Sequence, residues 1–262
     1  MRQALRILPR RLAVLAVLAG ALAVSGCFNP FDPLVVRNRV GTAEPPPVPS
    51  RPDLAIRLFE WCWDHRAIAE YEEIFTDDFL FQFAAADSSG QAFLGGVITR
   101  TDEIETARHL FVGGGSSPPA NSISLDLDQN LIAGPDPRPG KGNTTYHQEI
   151  VTTVVLRIDT EQEDYQVTGA ARFFLVRGDS AAIPAELLAR GFGHDASRWY
   201  IERWEDETAQ AGAYKALLGH RDPRLEARRP ATGDLATRPA RALSPPHPVS
   251  WGFVKRVWRP ER

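Results

Sequence analysis

Cysteine is nearly absent from this 262-residue chain: Cys27 and Cys62 are the whole supply, and there is a single methionine. So few cysteines exclude a disulfide-stapled scaffold and a zinc site built on Cys pairs. Positive charge is also short, with 30 Lys and Arg against 33 Asp and Glu and a formal net charge of −3, which excludes a broad phosphate-neutralising surface and hence nucleic acid as a partner. The longest apolar run, Leu12 to Val24, falls short of the roughly 20 residues a spanning helix needs. What is present is the mixture of a folded protein, 43% hydrophobic and 24% charged residues, enough for one sizeable core once segments that do not fold are set aside.

The charge is unevenly spread. The first 26 residues hold four arginines and no acid, and Gly219 to Arg262 holds ten Lys and Arg against four Asp and Glu, which leaves −13 for residues 27–218. A basic tail on an acidic body is expected to lie against that body or against anionic lipid headgroups.

Residues 1–26 have a basic start, a short apolar stretch and small residues before Cys27, the plan of an export signal peptide. Val24-Ser25-Gly26-Cys27 resembles the lipobox of bacterial lipoproteins. The resemblance implies cleavage before Cys27, acylation of its sulfur and new amine, and a lipid-anchored protein of the cell envelope. In a two-membrane bacterium, Phe28 after that cysteine implies the outer membrane, facing the periplasm. Two or three acyl chains, each buried CH₂ contributing about 0.8 kcal/mol, give stable anchoring in the lipid bilayer. Cys62, between Trp61 and Trp63, reads as a small buried hydrophobe rather than a nucleophile. Residues 27–52, with Pro30, Pro33, Pro45, Pro46, Pro47, Pro49 and Pro52, read as the lipidated cysteine and a semi-rigid tether.

A folded domain is predicted over residues 53–218. Asp53 is placed to cap a helix whose stripe is Leu54, Leu58, Trp61, Cys62 and His65. A short second helix over about 67–75 carries Ile68, Tyr71, Ile74 and Phe75, and Phe79, Phe81 and Phe83 alternate as in a strand. Asp102 and Glu105 have capping-box spacing at the head of a third helix with Ile104, Ala107, Leu110 and Phe111 beneath. Strands follow over Ile123 to Leu127, over 146–158 and 165–177 around an acidic hairpin tip, and over Trp199 to Asp206. The two long runs are apolar on both faces for part of their length, which puts them mid-sheet. Residues 207–218 suggest a further helix. Residues 219–262 are rich in Arg, Pro and Ala, with Trp251, Phe253, Val254, Val257 and Trp258 as late apolar exceptions, and are expected to be disordered or docked.

The runs Leu58 to Tyr71, Ile74 to Phe79 and Trp199 to Asp206 together resemble the nuclear-transport-factor-2-like superfamily, which includes SnoaL-like proteins and ketosteroid isomerases. The resemblance implies an α+β fold: a cone-shaped, strongly curved, mainly antiparallel sheet wrapped around N-terminal helices and open at one end. Concave apolar interiors are default ligand sites, and Phe59, Trp63, Phe83, His147, Tyr200 and Trp204 are the candidate lining. The resemblance puts Phe59 where the isomerases carry an oxyanion-binding Tyr and Phe83 where they carry a general-base Asp. Neither moves a proton, so the cup is expected to lack the proton-handling groups of its catalytic relatives. It also implies homodimerisation through the sheet.

Other constellations carry less chemistry. His147 and Glu149 are two apart on a strand and share a face, which suits an acid/base pair or metal ligands; the rival is a cross-strand ion pair from Glu149 to Arg172. Tyr200, Glu202 and Trp204 would likewise share a face, as pocket wall or as core. Asp126-x-Asp128-x-Asn130 opens like a calcium loop but has Leu131 and Pro137 where that loop needs Gly and Glu. Cys62-x-x-His65 has no second ligand pair. No metal and no cofactor is expected. The chain is read as a membrane-anchored envelope lipoprotein whose domain binds a small apolar ligand or a protein partner without catalysis. The alternatives are a SnoaL-like enzyme using His147 and Glu149, and a structural or assembly protein of the envelope with a cup filled by side chains.

Overall fold

The computed structural model describes residues 45–92, 97–207 and 246–259. The export signal, Cys27, residues 28–44 of the tether, the helix expected after Glu207 and the tail up to residue 245 lie outside the described residues. Among those described, no helix is long and apolar enough to cross a membrane.

The first helix, α1 (Pro52–His65), starts two residues earlier than an Asp53 cap would place it. Arg51 occupies the N-cap without a side-chain bond, Pro52 takes the first turn, and Asp53 lies inside it. Proline is at home there because its missing N–H would have had no helical partner. Ala55, Ile56, Leu58, Phe59, Cys62 and Trp63 form the buried stripe, so of the expected stripe only Leu58 and Cys62 face the core, while Leu54 and Trp61 are half-buried and His65 is exposed. The end of the tether belongs to the domain: Pro49 is buried and its carbonyl accepts from Trp199 N at 2.8 Å. Helix α2 (Ile68–Glu72) is shorter than expected, because Phe75 already belongs to strand β1 (Phe75–Gln82). After a short α3 (Ser88–Gln91) and β2 (Val97–Thr99) comes α4 (Arg100–Phe111). The capping box on α4 is Thr99 with Asp102, not Asp102 with Glu105. The Thr hydroxyl three residues ahead of Asp102 satisfies the orphan N–H one turn earlier. Gly113 and Gly114, at φ 96° and 109°, then turn the chain away in a region that glycine enters without steric penalty.

Strands β3 (Ser122–Leu127), β4 (Ala133–Pro135), β5 (His147–Asp159), β6 (Asp164–Arg177) and β7 (Trp199–Asp206) follow, with helix α5 (Ala185–Ala189) before β7. The sheet order is β2-β1-β7-β6-β5-β3, with β4 added along β5. Its pairs are antiparallel except β1 with β7 and the short β8 (His247–Pro248) with β6. This is the α+β arrangement that the sequence implied, a curved, unclosed sheet whose inner face carries Phe79 and Phe81 from β1, with Phe83 just past its end, Ile150, Val154 and Leu156 from β5, and Phe173 and Leu175 from β6. Helices α1, α2 and α4 bury Phe59, Trp63, Tyr71, Leu110 and Phe111 in the same core. Fully burying each large apolar side chain contributes about 1.5–3 kcal/mol.

Strand β7 carries an extra residue. Leu175 pairs with Ile201 and Phe174 with Arg203, leaving Glu202 unmatched. One inserted residue moves the rest of a strand out of phase, so Ile201 and Trp204 both enter the core while Tyr200 packs on the opposite face with Val176, Ala181, Ile183 and Leu187. Tyr200, Glu202 and Trp204 therefore do not share a face, as strict alternation would have it.

The end of the chain is part of the core. After β8, helix α6 (Trp251–Val257) is capped by Ser250, whose hydroxyl accepts from Phe253 N at 3.2 Å. Trp251, Val254, Lys255 and Trp258 are all buried. Composition underrated this segment: four residues at i, i+3, i+4 and i+7 make one stripe on a helix, and that is enough to dock it.

Candidate functional site

Inside the sheet, Phe59, Trp63, Phe83 and Trp204 are all buried in one aromatic cluster. Phe59 meets Trp204 and Phe173 at ring-centroid distances of 5.2 Å each, and Phe81 meets Phe83 at 4.7 Å and Trp204 at 4.6 Å. The tail closes this cluster. The Trp251 ring stands edge-on to Trp204 at 4.7 Å and to Trp63 at 5.6 Å.

Beside Trp251, Lys255 enters the cluster with no exposed surface. Its Nζ lies 5.0 Å from the centroid of Trp204, 5.4 Å from Phe81, and 5.6 Å from both Trp63 and Trp251. It donates to Glu103 Oε1, and that same oxygen accepts from the Tyr71 hydroxyl at 2.7 Å. Glu103 and Tyr71 are likewise wholly buried. Burial pushes the Tyr71 phenol well above its usual range, and the Glu103 carboxylate beside it adds to that, so Tyr71 is a fixed hydroxyl donor. Burial lowers Lys255 while Glu103 works the other way.

Phe59 and Phe83 do stand in the core, but Tyr71, Glu103 and Lys255 bring ionisable side chains into it from positions outside the expected lining. Glu103 stood in plain sight four and seven residues before Ala107 and Leu110, on the buried face of α4. Lys255 stood in the stripe of α6. The signal in both cases was a charged residue at a core position of a helical pattern.

The other candidates lie elsewhere. His147 and Glu149 are on the odd-numbered face of β5, opposite the face of Ile150 and Val154 that packs into the core. They therefore do not point into the cup. Glu149 forms the ion pair to Arg172 at 2.9 Å, and Arg172 reaches Glu207 at 3.1 Å. The bulge that displaces Glu202 brings its carboxylate to His147 and Asp136, the three ligand atoms lying within 4.8 Å of one another. Both carboxylates already have cationic partners there. Arg138 bonds Asp136 at 2.7 Å, pairs with Glu202 and lies 4.3 Å over the Phe174 ring, and Lys141 reaches Glu202 at 2.7 Å. Burial raises Glu202, but the bonds and charges of Lys141 and Arg138 outweigh it and hold the carboxyl below its usual range. His147 is lowered by burial and by Lys141, and its buried Nδ1 finds no hydrogen-bond partner among the described residues. This is an internally neutralised ion-pair network, in which a metal ion would compete with two tethered cations.

Cys62 is wholly buried and its thiol is pushed far up by burial, which leaves it unreactive. His65 is exposed and stacked on Trp61 at 4.3 Å, so the two residues of Cys62-x-x-His65 are not brought together. Asp126 pairs with Arg157 at 2.8 Å, and Asp128 accepts from Thr153 N at 2.9 Å.

No protein-family model matches the chain, and no curated protein matches it in sequence. Solved structures do resemble it in fold. A nuclear-transport-factor-2-like protein of unknown function in nutrient uptake from Rhodospirillum rubrum shares 13% identity at a TM-score of 0.38, covering 60% of this chain and 98% of that one. A nuclear transport factor 2-like superfamily protein from Salmonella enterica shares 10% at 0.36, over 59% and 85%. An NTF2-like protein with a cystatin-like fold from Novosphingobium aromaticivorans shares 13% at 0.36, over 63% and 84%. At these identities and TM-scores the likenesses say nothing of function, and what this site does is read from its own residues.

Proposed function

We propose that this chain is a lipid-anchored protein of the cell envelope whose cup is a non-catalytic binding module held shut by its own C-terminal helix. The observation that supports the closed cup is Lys255, wholly buried and bonded to Glu103 among aromatic rings of the sheet and of α1. A carboxylate compensated by a tethered ammonium and sealed from water is not poised to take a proton from a substrate. His147 and Glu149, the alternative acid/base pair, lie on the far face of the sheet, where Glu149 is paired with Arg172 and His147 stands beside the ion-paired carboxylates of Asp136 and Glu202.

Anchoring rests on the sequence Val24-Ser25-Gly26-Cys27. Cell fractionation of the Cys27→Ser variant tests it: the wild-type chain should sediment with membranes and the variant should appear in the soluble envelope fraction. Membrane association that survives the substitution would overturn the anchor.

A further inference from the structure

We propose that the floor of the cup is an ammonium-binding site, filled here by Lys255, and that the external ligand it takes when α6 leaves is a primary aliphatic amine. The proposal rests on the reading of the cup as a binding module and gives that module its chemistry. Of the four rings within 5.6 Å of Nζ, Trp63, Phe81 and Trp204 belong to the cup and remain when α6 is gone. So do Glu103 and its positioning donor Tyr71. Ring faces attract cations, most strongly when desolvated, and a buried carboxylate demands a cationic partner. Together they define a receptor for a positive charge carried on an apolar stem, and the lysine side chain is one example of that ligand.

Two further observations favour an exchangeable occupant over a plain structural ion pair. Glu103 Oε2, wholly buried, has no hydrogen-bond partner among the described residues, so the site has acceptor capacity that Lys255 does not use. The helix that delivers Lys255 has only seven residues and is separated from Glu207 by residues 208–250, within which the two-residue β8 pairs with β6 and Val249 N donates to Gln166 O at 2.9 Å. Its other polar ties are at its two ends. At the first, Asp87 accepts from Gly252 N at 2.8 Å and from the Ser250 hydroxyl at 3.0 Å. At the second, Trp258 Nε1 donates to Pro118 O at 3.0 Å, the Ser117 hydroxyl donates to Val257 O at 2.9 Å, and His109 Nδ1 lies 3.1 Å from Trp258 O. At Gly252 α6 approaches α3 closely, and a Cβ there would stand 2.6 Å from both Gly90 Cα and Asp87 Oδ2. A Gly252→Ala change therefore forces α6 away without touching the cage.

The test uses the full chain and n-butylammonium chloride, with n-butanol and potassium chloride as controls. In Lys255→Ala, butylammonium should raise the melting temperature in a saturable way while butanol and potassium chloride do not, and adding Glu103→Gln should remove the effect. If Lys255→Ala is unfolded in buffer, the same comparison reads the fraction refolded, and the same responses support or overturn the site. In Gly252→Ala, tryptophan fluorescence should report butylammonium binding about tenfold tighter or more than in the wild-type chain, since apparent affinity scales with the open fraction. A Lys255→Ala chain that responds to butanol as well as to the amine, or to neither, overturns the site; Gly252→Ala binding no tighter than wild type overturns the exchange. Either failure leaves membrane anchoring through Cys27 standing, and a Cys27→Ser chain that stays on membranes leaves amine binding standing.

Discussion

Replacing Lys255 by Met keeps most of the side-chain volume and removes the charge, so it isolates the electrostatics of the buried pair. Lys255 and Glu103 are both without exposed surface, and removing one partner of such a pair costs about 3–5 kcal/mol because the other is left as an uncompensated buried charge. Against a typical stability of about 5–15 kcal/mol, that is a large fraction. Glu103→Gln alone should cost less, about 2–3 kcal/mol, since the ammonium keeps four ring faces around it, which together offset roughly 2 kcal/mol when desolvated. The double variant leaves no charge, and Gln can still accept from Tyr71. It should lie within about 1 kcal/mol of wild type, because neutral replacements of buried pairs are often no worse than the pair. Urea unfolding followed by tryptophan fluorescence and by circular dichroism gives all four stabilities, and the cycle should show about 3 kcal/mol or more of coupling. Additive single costs, or a Lys255→Met cost below about 1 kcal/mol, would refute the buried pair.

Three smaller tests follow from the same geometry. Trp251→Ala removes a wholly buried indole in edge contact with Trp63 and Trp204 and should cost about 3–5 kcal/mol in urea unfolding; a surface-like loss of a few tenths would mean α6 is not docked. Tyr71→Phe deletes the 2.7 Å bond to Glu103 and should cost about 1.5–3 kcal/mol, the range for a bond to a charged group, measured by the same assay and contradicted by no change. His147 is held below its ordinary 6.5 by burial and by Lys141 and Arg138, with Glu202 and Asp136 opposing. The unfolded chain therefore binds the extra proton first, and stability is lost as the pH falls below about 6.5. The urea midpoint should drop between pH 7.5 and 5.5, and His147→Gln should shrink that drop; equal drops would exclude His147 as the cause.

Much of the fold could be read from periodicity. The strand limits of β3 and β7 and the long β5–β6 hairpin follow from alternation acting on strongly apolar residues, whereas the stripe expected for α1 lies about one position off, sharing only Leu58 and Cys62 with the buried face. The candidate lining residues Phe59, Trp63, Phe83 and Trp204 meet in the core, because Phe59, Trp63 and Trp204 sit at inward positions of their elements and Phe83 continues the alternation of β1 one residue past its end. Tyr200 and His147 do not, for different reasons. An unmatched residue in β7 is invisible to a pattern of period two, which carries Tyr200 to the wrong face, and His147 shares its face with Glu149 whichever side of the sheet that face proves to be. Glu103 and Lys255 are hidden by composition. A charge is assumed to face water, and only the pairing of two distant charges makes it tolerable inside. The same assumption makes residues 251–258 look too poor in apolar surface to pack, although their few large side chains all fall on one stripe.

Amine-selective labelling of the native chain tests the closed cup most directly, because the sequence has only Lys141, Lys215 and Lys255 to report. Lys141 is a third exposed, whereas Lys255 has 1% of its side chain accessible. With a small N-hydroxysuccinimide ester and peptide mass spectrometry, Lys141 should modify readily and Lys255 about a thousandfold more slowly, since its reaction waits on opening of the structure. Modification of Lys255 at the rate of Lys141 would contradict a C-terminal helix that fills the cup.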